Sequence, residues 1–188
     1  MKNICIFASG TGSNFENIVK SVENGTIQNA CVPLLICDNP KALVIQKAKH
    51  YNINVHKFFP KNYLDKQSYE KEILKKLNYH NINIIALAGY MRIIGSTILT
   101  QYEGKIINIH PSLLPNFPGK NGIKDAYMNN AKVTGVTVHY VDSGVDTGEI
   151  ISQKEVPIYT NDTIESLSKK INKAEHELYI QVLQKLVV

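Results

Sequence analysis

Short apolar runs alternate with stretches of helical periodicity along most of this chain. Apolar runs bounded by Gly, Pro or Asn are typical of buried strands. They lie at residues 4–8, 32–37, 53–56, 82–87 and 106–109. Patterns with helical spacing separate most of them, at residues 15–22, 42–50, 63–77 and 97–102. A succession of this kind predicts a mainly parallel, doubly wound sheet with helices on both faces.

The remainder of the chain adds two strands and a long helix. Residues 135–141 alternate apolar with polar side chains, and residues 149–156 form another strand candidate. A final helix is predicted over residues 163–186, and Asp162 followed by Glu165 indicates a capping box at its start. Its predicted buried stripe consists of Leu167, Ile171, Ala174 and Leu178. We therefore expect an α/β protein of three α/β/α layers with about seven strands and a Rossmann-like amino-terminal half.

Length and composition favour one domain in a reducing compartment. The chain has 188 residues, 44% of them apolar, which suits a single domain over residues 1–188. The apolar run at residues 4–8 is too short for a signal peptide or a membrane span, so we expect no membrane association. Three cysteines without metal-type spacing predict reduced thiols and a cytoplasmic location.

The formal net charge of +5 arises from lysines dispersed among glutamates, as on a solvated helix face. The chain lacks a basic block and aromatic residues interleaved with basic ones, so nucleic-acid binding is not expected. A positive charge of this size attracts small anionic substrates. Composition thus favours a small anionic molecule over a nucleic acid as the ligand.

The strand at residues 106–109 leads into two polar side chains that share a face. Residues two apart in a strand project to the same side, so Asn108 and His110 point together. Pro111 ends the ladder immediately afterwards because it has no main-chain donor. Open α/β sheets bind ligands at the carboxyl ends of their strands, and these two residues are therefore candidate site residues.

A glycine-rich turn follows the first strand at residues 9–14. A helix begins next, and its free N–H groups and positive dipole end suit a phosphate. Phe15 stands where a dinucleotide fingerprint needs glycine, which disfavours a dinucleotide, although Asp38 after the second strand could bind a ribose. A plain glycine turn with Ser13 capping the helix is the structural alternative.

A second glycine-containing loop, residues 142–148, holds two carboxylates. In most such loops Asp142 and Asp146 would bond only to local main chain. An amide, an imidazole and a carboxylate together are nevertheless the groups that acyl or formyl transfer requires, since the first two stabilise an oxyanion and the third orients the imidazole. His139, on a strand, is predicted to be structural.

Four segments together resemble the phosphoribosylglycinamide formyltransferases, within the folate-dependent formyltransferase family. They read Asn-Ile-His-Pro-Ser-Leu-Leu-Pro at residues 108–115, Val-Asp-Thr-Gly at 145–148, Ser-Gly-Thr-Gly-Ser-Asn at 9–14 and Leu-Ala-Gly-Tyr-Met-Arg-Ile-Ile at 87–94. The first also marks methionyl-tRNA formyltransferase and formyltetrahydrofolate deformylase. Those enzymes carry an extra domain, for which we expect no room here.

The resemblance implies transfer of a formyl group from 10-formyltetrahydrofolate, the co-substrate, to the primary amine of glycinamide ribonucleotide in purine biosynthesis, without a metal. By similarity, Asn108 and His110 flank the formyl oxygen. Asp146 pairs with His110 and helps to move a proton from the attacking amine to folate N10. The implied partners are small molecules only, and the implied assembly is a monomer or weak homodimer.

The same resemblance implies the residues that bind the two substrates. Those for the ribonucleotide are Gly12, Ser13 and Asn14 at the phosphate and Glu175 at the glycinamide end. Those for folate are Met91, Arg92, Ile93, Ile94 and Asn108, with residues 142–148 beside the pterin. Lys66 stands where many members have an arginine that binds the folate tail. A lysine ammonium would contact the tail as a point charge instead of through the two parallel hydrogen bonds of a guanidinium. Residues 119–125 contain no histidine, which excludes a further catalytic histidine there.

Three alternatives remain open from the sequence. Another folate-dependent formyltransferase or hydrolase could share this fold and the 108–115 segment. A nucleotide-binding dehydrogenase would use Gly10, Gly12 and Asp38. A non-catalytic anion-binding module would leave the set of Asn108, His110 and Asp146 as coincidence.

Overall fold

All seven strands belong to one sheet in the computed structural model, which describes residues 1–188. The strands are β1 (Lys2–Ala8), β2 (Ala30–Cys37), β3 (Asn54–Lys57), β4 (Ile84–Leu87), β5 (Ile106–His110), β6 (Val133–Tyr140) and β7 (Ile150–Pro157). Their order across the sheet is β3-β2-β1-β4-β5-β6-β7. The strands from β1 to β5 pair in parallel, whereas β6 and β7 add antiparallel pairs. The predicted mainly parallel, doubly wound sheet is confirmed.

Helices cover both faces of this sheet. They are α1 (Ser13–Glu23), α2 (Val44–His50), α3 (Lys66–Tyr79), α4 (Ser96–Leu99), α5 (Gly122–Met128) and α6 (Ile164–Leu186), with a 3-10 turn at Pro60–Asn62. One core contains apolar residues of α1, α2 and α6, and the other contains those of α3 and α4. In β1, Ile4 and Ile6 enter the first core while Cys5 and Phe7 enter the second. Burial on both faces explains why such strands read as continuous apolar runs.

The long helix α6 begins one residue later than a cap at Asp162 would require. Thr163 is the N-cap: its hydroxyl accepts from Ser166 N at 3.1 Å, and Ser166 Oγ accepts from Thr163 N at 3.0 Å. The predicted pairing of Asp162 with Glu165 is therefore wrong. The predicted stripe is confirmed, since its members are all buried: Leu167, Ile171, Ala174 and Leu178.

Two segments differ from their sequence patterns. The helix α3 starts at Lys66 rather than residue 63, because the Asp65 carboxylate accepts from Ser68 N at 2.7 Å and fixes the first turn. The helix α5 was not predicted at all. Only Gly122 and Ala126 are buried in it, so it has no apolar stripe for a pattern to reveal.

The cysteines are unpaired, and all three lie in strands: Cys5, Cys31 and Cys37. Burial raises the pKa of the Cys5 thiol well above its ordinary value, which keeps it protonated. No helix combines the length and apolar character needed to cross a membrane. The strands β1, β4 and β5 run in parallel, so their carboxyl ends meet at one edge of the sheet, and the segments that follow them converge there.

Candidate active site

A cavity of about 550 Å³ opens at this edge of the sheet. Residues 10–14 after β1, 87–94 after β4 and 108–111 at the end of β5 form most of its wall. Parts of the 142–148 loop, of α6, of residues 119–123 and of residues 139–141 complete it. With the exception of Lys66, every site residue predicted from the sequence lines this cavity. One cavity thus joins segments far apart in the chain.

The centre of the cavity is formed by two antiparallel strands. Asn108 lies directly opposite His139, and His110 lies opposite Thr137. Opposed residues of such a pair share a face, so the two histidines and the amide stand side by side. His139 is 2% exposed and lines the cavity. Its prediction as merely structural is not supported by this placement, which only the pairing of β5 with β6 reveals.

Asp146 connects these side chains from the loop above them. Its Oδ2 lies 3.3 Å from His110 Nδ1 and accepts from Gly119 N at 2.8 Å. Its Oδ1 lies 3.6 Å from His139 Nε2 and accepts from Asn108 Nδ2 at 3.5 Å. Hydrogen bonding from His139 lowers the pKa of Asp146, with Gly119 N–H and the charge of His110 adding to it, while burial opposes them. The carboxylate is therefore charged at neutral pH.

The two carboxylates of the 142–148 loop have different surroundings. Asp142 bonds to its own loop, accepting from Gly144 N at 2.9 Å and Thr147 Oγ1 at 2.7 Å. Asp146 instead has a left-handed backbone with φ of 55°, a region that Asp adopts more easily than most residues. A Cβ on Gly148 would lie 1.8 Å from Tyr140 O, so only glycine lets the loop lie against β6. The loop thus holds one carboxylate for its own turn and presents the other to the cavity.

Both ring nitrogens of His110 face oxygen atoms. Nε2 lies 2.9 Å from Phe117 O, and since a carbonyl only accepts, this nitrogen donates. Nδ1 faces the Asp146 carboxylate. The imidazolium satisfies both contacts at once because both of its nitrogens are donors. Oxygen acceptors thus orient both ring nitrogens beside the cavity.

The amino-terminal end of α1 forms another part of the wall. Its N-cap is Gly12, which has a φ of 73° and no capping side chain, so the alternative of Ser13 as the cap is wrong. The first N–H groups of a helix lack partners within it, and here no side chain takes them. The positive dipole end adds to this, and the segment is suited to an anion. A Cβ on Gly12 would lie 2.4 Å from Val44 Cγ2, which makes glycine necessary.

Asn14 of α1 and Glu175 of α6 contact each other beside this helix end. Asn14 Nδ2 donates to Glu175 Oε2 at 3.4 Å, whereas Asn14 Oδ1 is buried without a partner. Burial raises the pKa of Glu175 to about 7, although the bond from Asn14 acts in the opposite direction. Glu175 and Asn172 share one face of α6 and both line the cavity. A buried polar pocket with unused hydrogen-bonding capacity thus adjoins this end of α1.

The opposite rim is apolar and exposed. Met91, Ile93 and Val145 are 58%, 55% and 51% exposed, and all three line the cavity. Ile94 is buried in the second core and anchors the segment. A flat, largely apolar ligand fits such a rim because the exposed side chains lose water on contact with it.

Arg92 is turned toward the sheet by Asp38. Arg92 Nε donates to Asp38 Oδ2 at 2.7 Å, and Ser9 Oγ donates to Asp38 Oδ1 at 2.5 Å. The carboxylate on which a dinucleotide-binding alternative depends is thereby occupied within the protein.

Lys66 lies outside the cavity wall. It is the exposed first residue of α3, and its Cε lies beside Gly95, one residue beyond the 87–94 segment. A role for Lys66 at the tail of a ligand stays a prediction. No group of three or more His, Cys, Asp or Glu side chains is arranged to hold a metal ion.

Comparisons with known proteins identify the family. The family model described as formyl transferase matches residues 2–183. The chain belongs to the formyl transferase family. Phosphoribosylglycinamide formyltransferase of Bacillus subtilis is 48% identical to this formyl transferase over 187 residues, which cover 100% of this chain and 95% of that protein.

Solved structures agree with this assignment. Glycinamide ribonucleotide transformylase 1 from Geobacillus kaustophilus superposes on this formyl transferase with a TM-score of 0.97 and 52% identity over 100% of both chains. The trifunctional purine biosynthetic protein adenosine-3 of Drosophila melanogaster is 36% identical over 99% of this chain but only 14% of its own length. The resemblance noted from four short segments is confirmed across the whole chain.

Proposed function

We propose that this formyl transferase moves the formyl group of 10-formyltetrahydrofolate to the primary amine of glycinamide ribonucleotide, within one domain over residues 1–188. The products are formylglycinamide ribonucleotide and tetrahydrofolate, as purine biosynthesis requires. The observation that supports it best is the placement of Asn108, His110 and Asp146 between an anion site and an apolar rim in one cavity. The names of its full-length relatives support the same reaction.

The side chains at the centre suit the charge that develops in this reaction. The amine nitrogen attacks the formyl carbon, a C–N bond forms, and the carbonyl electron pair moves to oxygen. Asn108 and the His110 imidazolium are donors beside that oxyanion, and one preorganised donor contributes about 3 kcal/mol. The present contact of Asn108 with Asp146 is long, at 3.5 Å, so a stronger bond to the oxyanion can replace it.

Collapse of the tetrahedral carbon requires a proton transfer. The attacking nitrogen must lose a proton, and folate N10 must gain one as its bond to the formyl carbon breaks. Asp146 is held charged beside His110 and His139, so it stabilises the charged imidazole and directs the transfer. His110 Nε2 contacts Phe117 O at 2.9 Å, and we infer that this carbonyl withdraws when Nε2 donates to the substrate.

The two ends of the cavity suit the two substrates. We assign the ribonucleotide phosphate to Gly12, Ser13 and Asn14, where a helix begins without a capping side chain. The glycinamide end then meets Glu175. On the other side, the pterin lies against the exposed rim and receives contacts from the residues Met91, Arg92, Ile93, Ile94 and Asn108.

Three further assignments belong to this proposal. Lys66 contacts the folate tail as a point charge from outside the cavity wall. The partners are small molecules, with the protein a monomer or a weak homodimer. The three unpaired cysteines suit a reducing cytoplasm.

A direct assay tests the reaction. Purified protein is mixed with 10-formyltetrahydrofolate and glycinamide ribonucleotide, and folate deformylation is followed by absorbance while mass spectrometry identifies the formylated ribonucleotide. The control omits the ribonucleotide. A hydrolase of the same fold would release formate in that control, and turnover there at the full rate would overturn the proposal. So would equal use of the riboside without its phosphate.

A further inference from the structure

Asp38 is a buried carboxylate that the proposed chemistry does not use. It follows β2 directly, and its side chain is 6% exposed. Both of its oxygens are occupied: Oδ1 accepts from Ser9 Oγ at 2.5 Å, and Oδ2 accepts from Arg92 Nε at 2.7 Å. A covered carboxylate with two such partners holds them firmly, since removing either leaves a buried charge partly unpaired.

The two partners belong to different parts of the cavity. Ser9 is the residue that links β1 to the 10–14 segment, where the phosphate is proposed to bind. Arg92 lies in the 87–94 segment, where the folate is proposed to bind. Asp38 itself belongs to neither segment, because it follows the neighbouring strand β2. It therefore bridges two segments that are 83 residues apart between Ser9 and Arg92.

The Ser9 hydroxyl makes this bridge tighter. It has one hydrogen to donate, and Asp38 takes it. Its lone pair faces Met91 N, which donates to it at 2.9 Å. The main chain adds a parallel link, since Ser9 N donates to Gly89 O at 3.1 Å. A shift of the phosphate segment is thus transmitted directly to the main chain of Met91, whose side chain forms the apolar rim.

We propose that Asp38 is a positioning residue that fixes the phosphate segment and the folate segment to each other through Ser9 and Arg92, so that occupancy of one prepares the other. The inference rests on the assignment of the two substrates to these two segments under the proposed function. Asp38 contacts no reacting atom in this arrangement. Its effect is a free-energy coupling between two binding events, which is reciprocal by thermodynamic linkage.

Calorimetry measures this coupling without any formyl transfer. The Kd for tetrahydrofolate is determined with and without saturating ribose 5-phosphate, which serves as the phosphate-monoester probe. We expect ribose 5-phosphate to tighten tetrahydrofolate binding about tenfold in the wild-type protein, a typical size for coupled sites. In Ser9→Ala and in Asp38→Ala the ratio of the two Kd values should fall several-fold toward one, because only the main-chain bond from Ser9 N to Gly89 O remains in both variants. Ser9→Ala keeps the Asp38–Arg92 ion pair, so this variant should stay folded and can test the coupling even if Asp38→Ala is unstable.

A matched control separates coupling from simple loss of stability. Asp162 is another carboxylate with a side chain 6% exposed, and it pairs with Lys170 Nζ at 2.6 Å near the start of α6. Asp162→Ala should lower Tm and keep the tenfold ratio. NMR provides a second measurement, because ribose 5-phosphate should shift the Met91 amide signal in the wild type but not in Ser9→Ala.

Two results would overturn the inference: an absent coupling in the wild-type protein, or a wild-type ratio retained in Ser9→Ala with an unchanged Met91 response. Neither depends on catalysis. If the ribonucleotide is not formylated although the coupling is present, the proposed function is wrong and the positioning role of Asp38 is supported. If formylation occurs without coupling, only the positioning role of Asp38 is wrong.

Discussion

The two ends of the cavity are formed by different kinds of group. At the end of β1 the proposed anion site consists of main-chain N–H groups, held in place by a left-handed glycine at Gly12. At the end of β5 the site consists of side chains, with Asp146 placed among Asn108, His110 and His139. The first depends on how closely the backbone approaches a ligand, and the second depends on charge. Changes of shape should therefore damage binding at one end, and changes of charge should damage turnover at the other.

The largest effect expected from this comparison is on turnover. Asp146→Asn keeps the size of the side chain and tolerates the left-handed backbone, but it removes the charge that faces two histidines. We expect kcat to fall about a thousandfold, in the range found when a preorganised electrostatic group is lost. The KM for the ribonucleotide should change little, because the anion site lies on another strand. Steady-state and single-turnover kinetics measure both quantities.

The same loop contains a control for this change. Asp142→Asn alters a carboxylate that bonds only to Gly144 N and Thr147 Oγ1, and it should lower kcat less than tenfold because the charge at the catalytic group is retained. Near-normal turnover in Asp146→Asn would show that Asp146 is an ordinary turn residue. Equal losses in both variants would show that the loop, rather than one charge, matters.

A change of shape at the other end should affect binding instead. Gly12→Val places a Cβ 2.4 Å from Val44 Cγ2 in a backbone with φ of 73°, so the amides that face the anion must move. We expect the KM for the ribonucleotide to rise about a hundredfold, equivalent to the loss of one or two charged hydrogen bonds. The KM for folate should rise far less. Steady-state kinetics with each substrate varied in turn measure the difference.

Gly25→Val separates strain from the loss of the anion site. Gly25 has a similar φ of 78°, but a Cβ there would meet nothing within 4 Å, and the residue lies outside the cavity. This variant should lower Tm without changing either KM. A rise in the ribonucleotide KM of the same size in both variants would contradict the assignment of the phosphate to Gly12.

The comparison also explains which parts of the molecule the sequence predicted. The strands at the centre of the sheet are buried on both faces, so apolar runs alone indicated them, and Asn108 with His110 followed from the period of a strand. Residues whose role depends on a distant partner were harder to interpret. His139 lies opposite Asn108 only because β5 and β6 pair in that register, and nothing near residue 139 encodes the pairing.

Errors arose where polar groups compete locally. Asp162 and Thr163 are both good caps, and the hydroxyl of Thr163 took the position that the carboxylate was predicted to occupy. Asp38 has the position of a ribose-binding acid, yet Ser9 and Arg92 occupy both of its oxygens. Sequence position identified these residues as important, whereas only the contacts decided what each one binds.

Glu175 lies at the end of the cavity beside α1, and the pH dependence of its ionisation tests how well that end excludes water. Burial raises its pKa from 4.5 to about 7, so the folded state holds a proton that the unfolded state releases between these values. The stabilisation from this group is complete below about pH 4.5 and is lost as pH rises through about 7. Glu175→Gln should match the wild type in unfolding free energy near pH 4, below the unfolded pKa. Near pH 8 it should be more stable by an amount on the order of 3 kcal/mol.

Urea unfolding at several pH values measures this difference, and Glu177→Gln is the control on the same helix. The Glu177 side chain is 40% exposed and pairs with Lys154, which lowers the pKa of Glu177. Its substitution should remove a small stabilisation at neutral pH rather than add one. A stability difference between Glu175→Gln and the wild type that does not change with pH would show that water reaches Glu175 freely.

The smallest effect is expected at Lys66, the one predicted site residue outside the cavity wall. An exposed ammonium that meets a carboxylate contributes only about 0.2 to 1 kcal/mol, because water and salt screen the pair. Lys66→Ala should therefore weaken folate binding a few-fold at low salt, lose that effect at high salt and leave kcat nearly unchanged. Lys71→Ala, at another lysine of α3, should leave folate binding as in the wild type at every salt concentration. If Lys66→Ala lowers kcat strongly, Lys66 acts on the reacting groups, and the division between a binding rim and a charged centre must be redrawn.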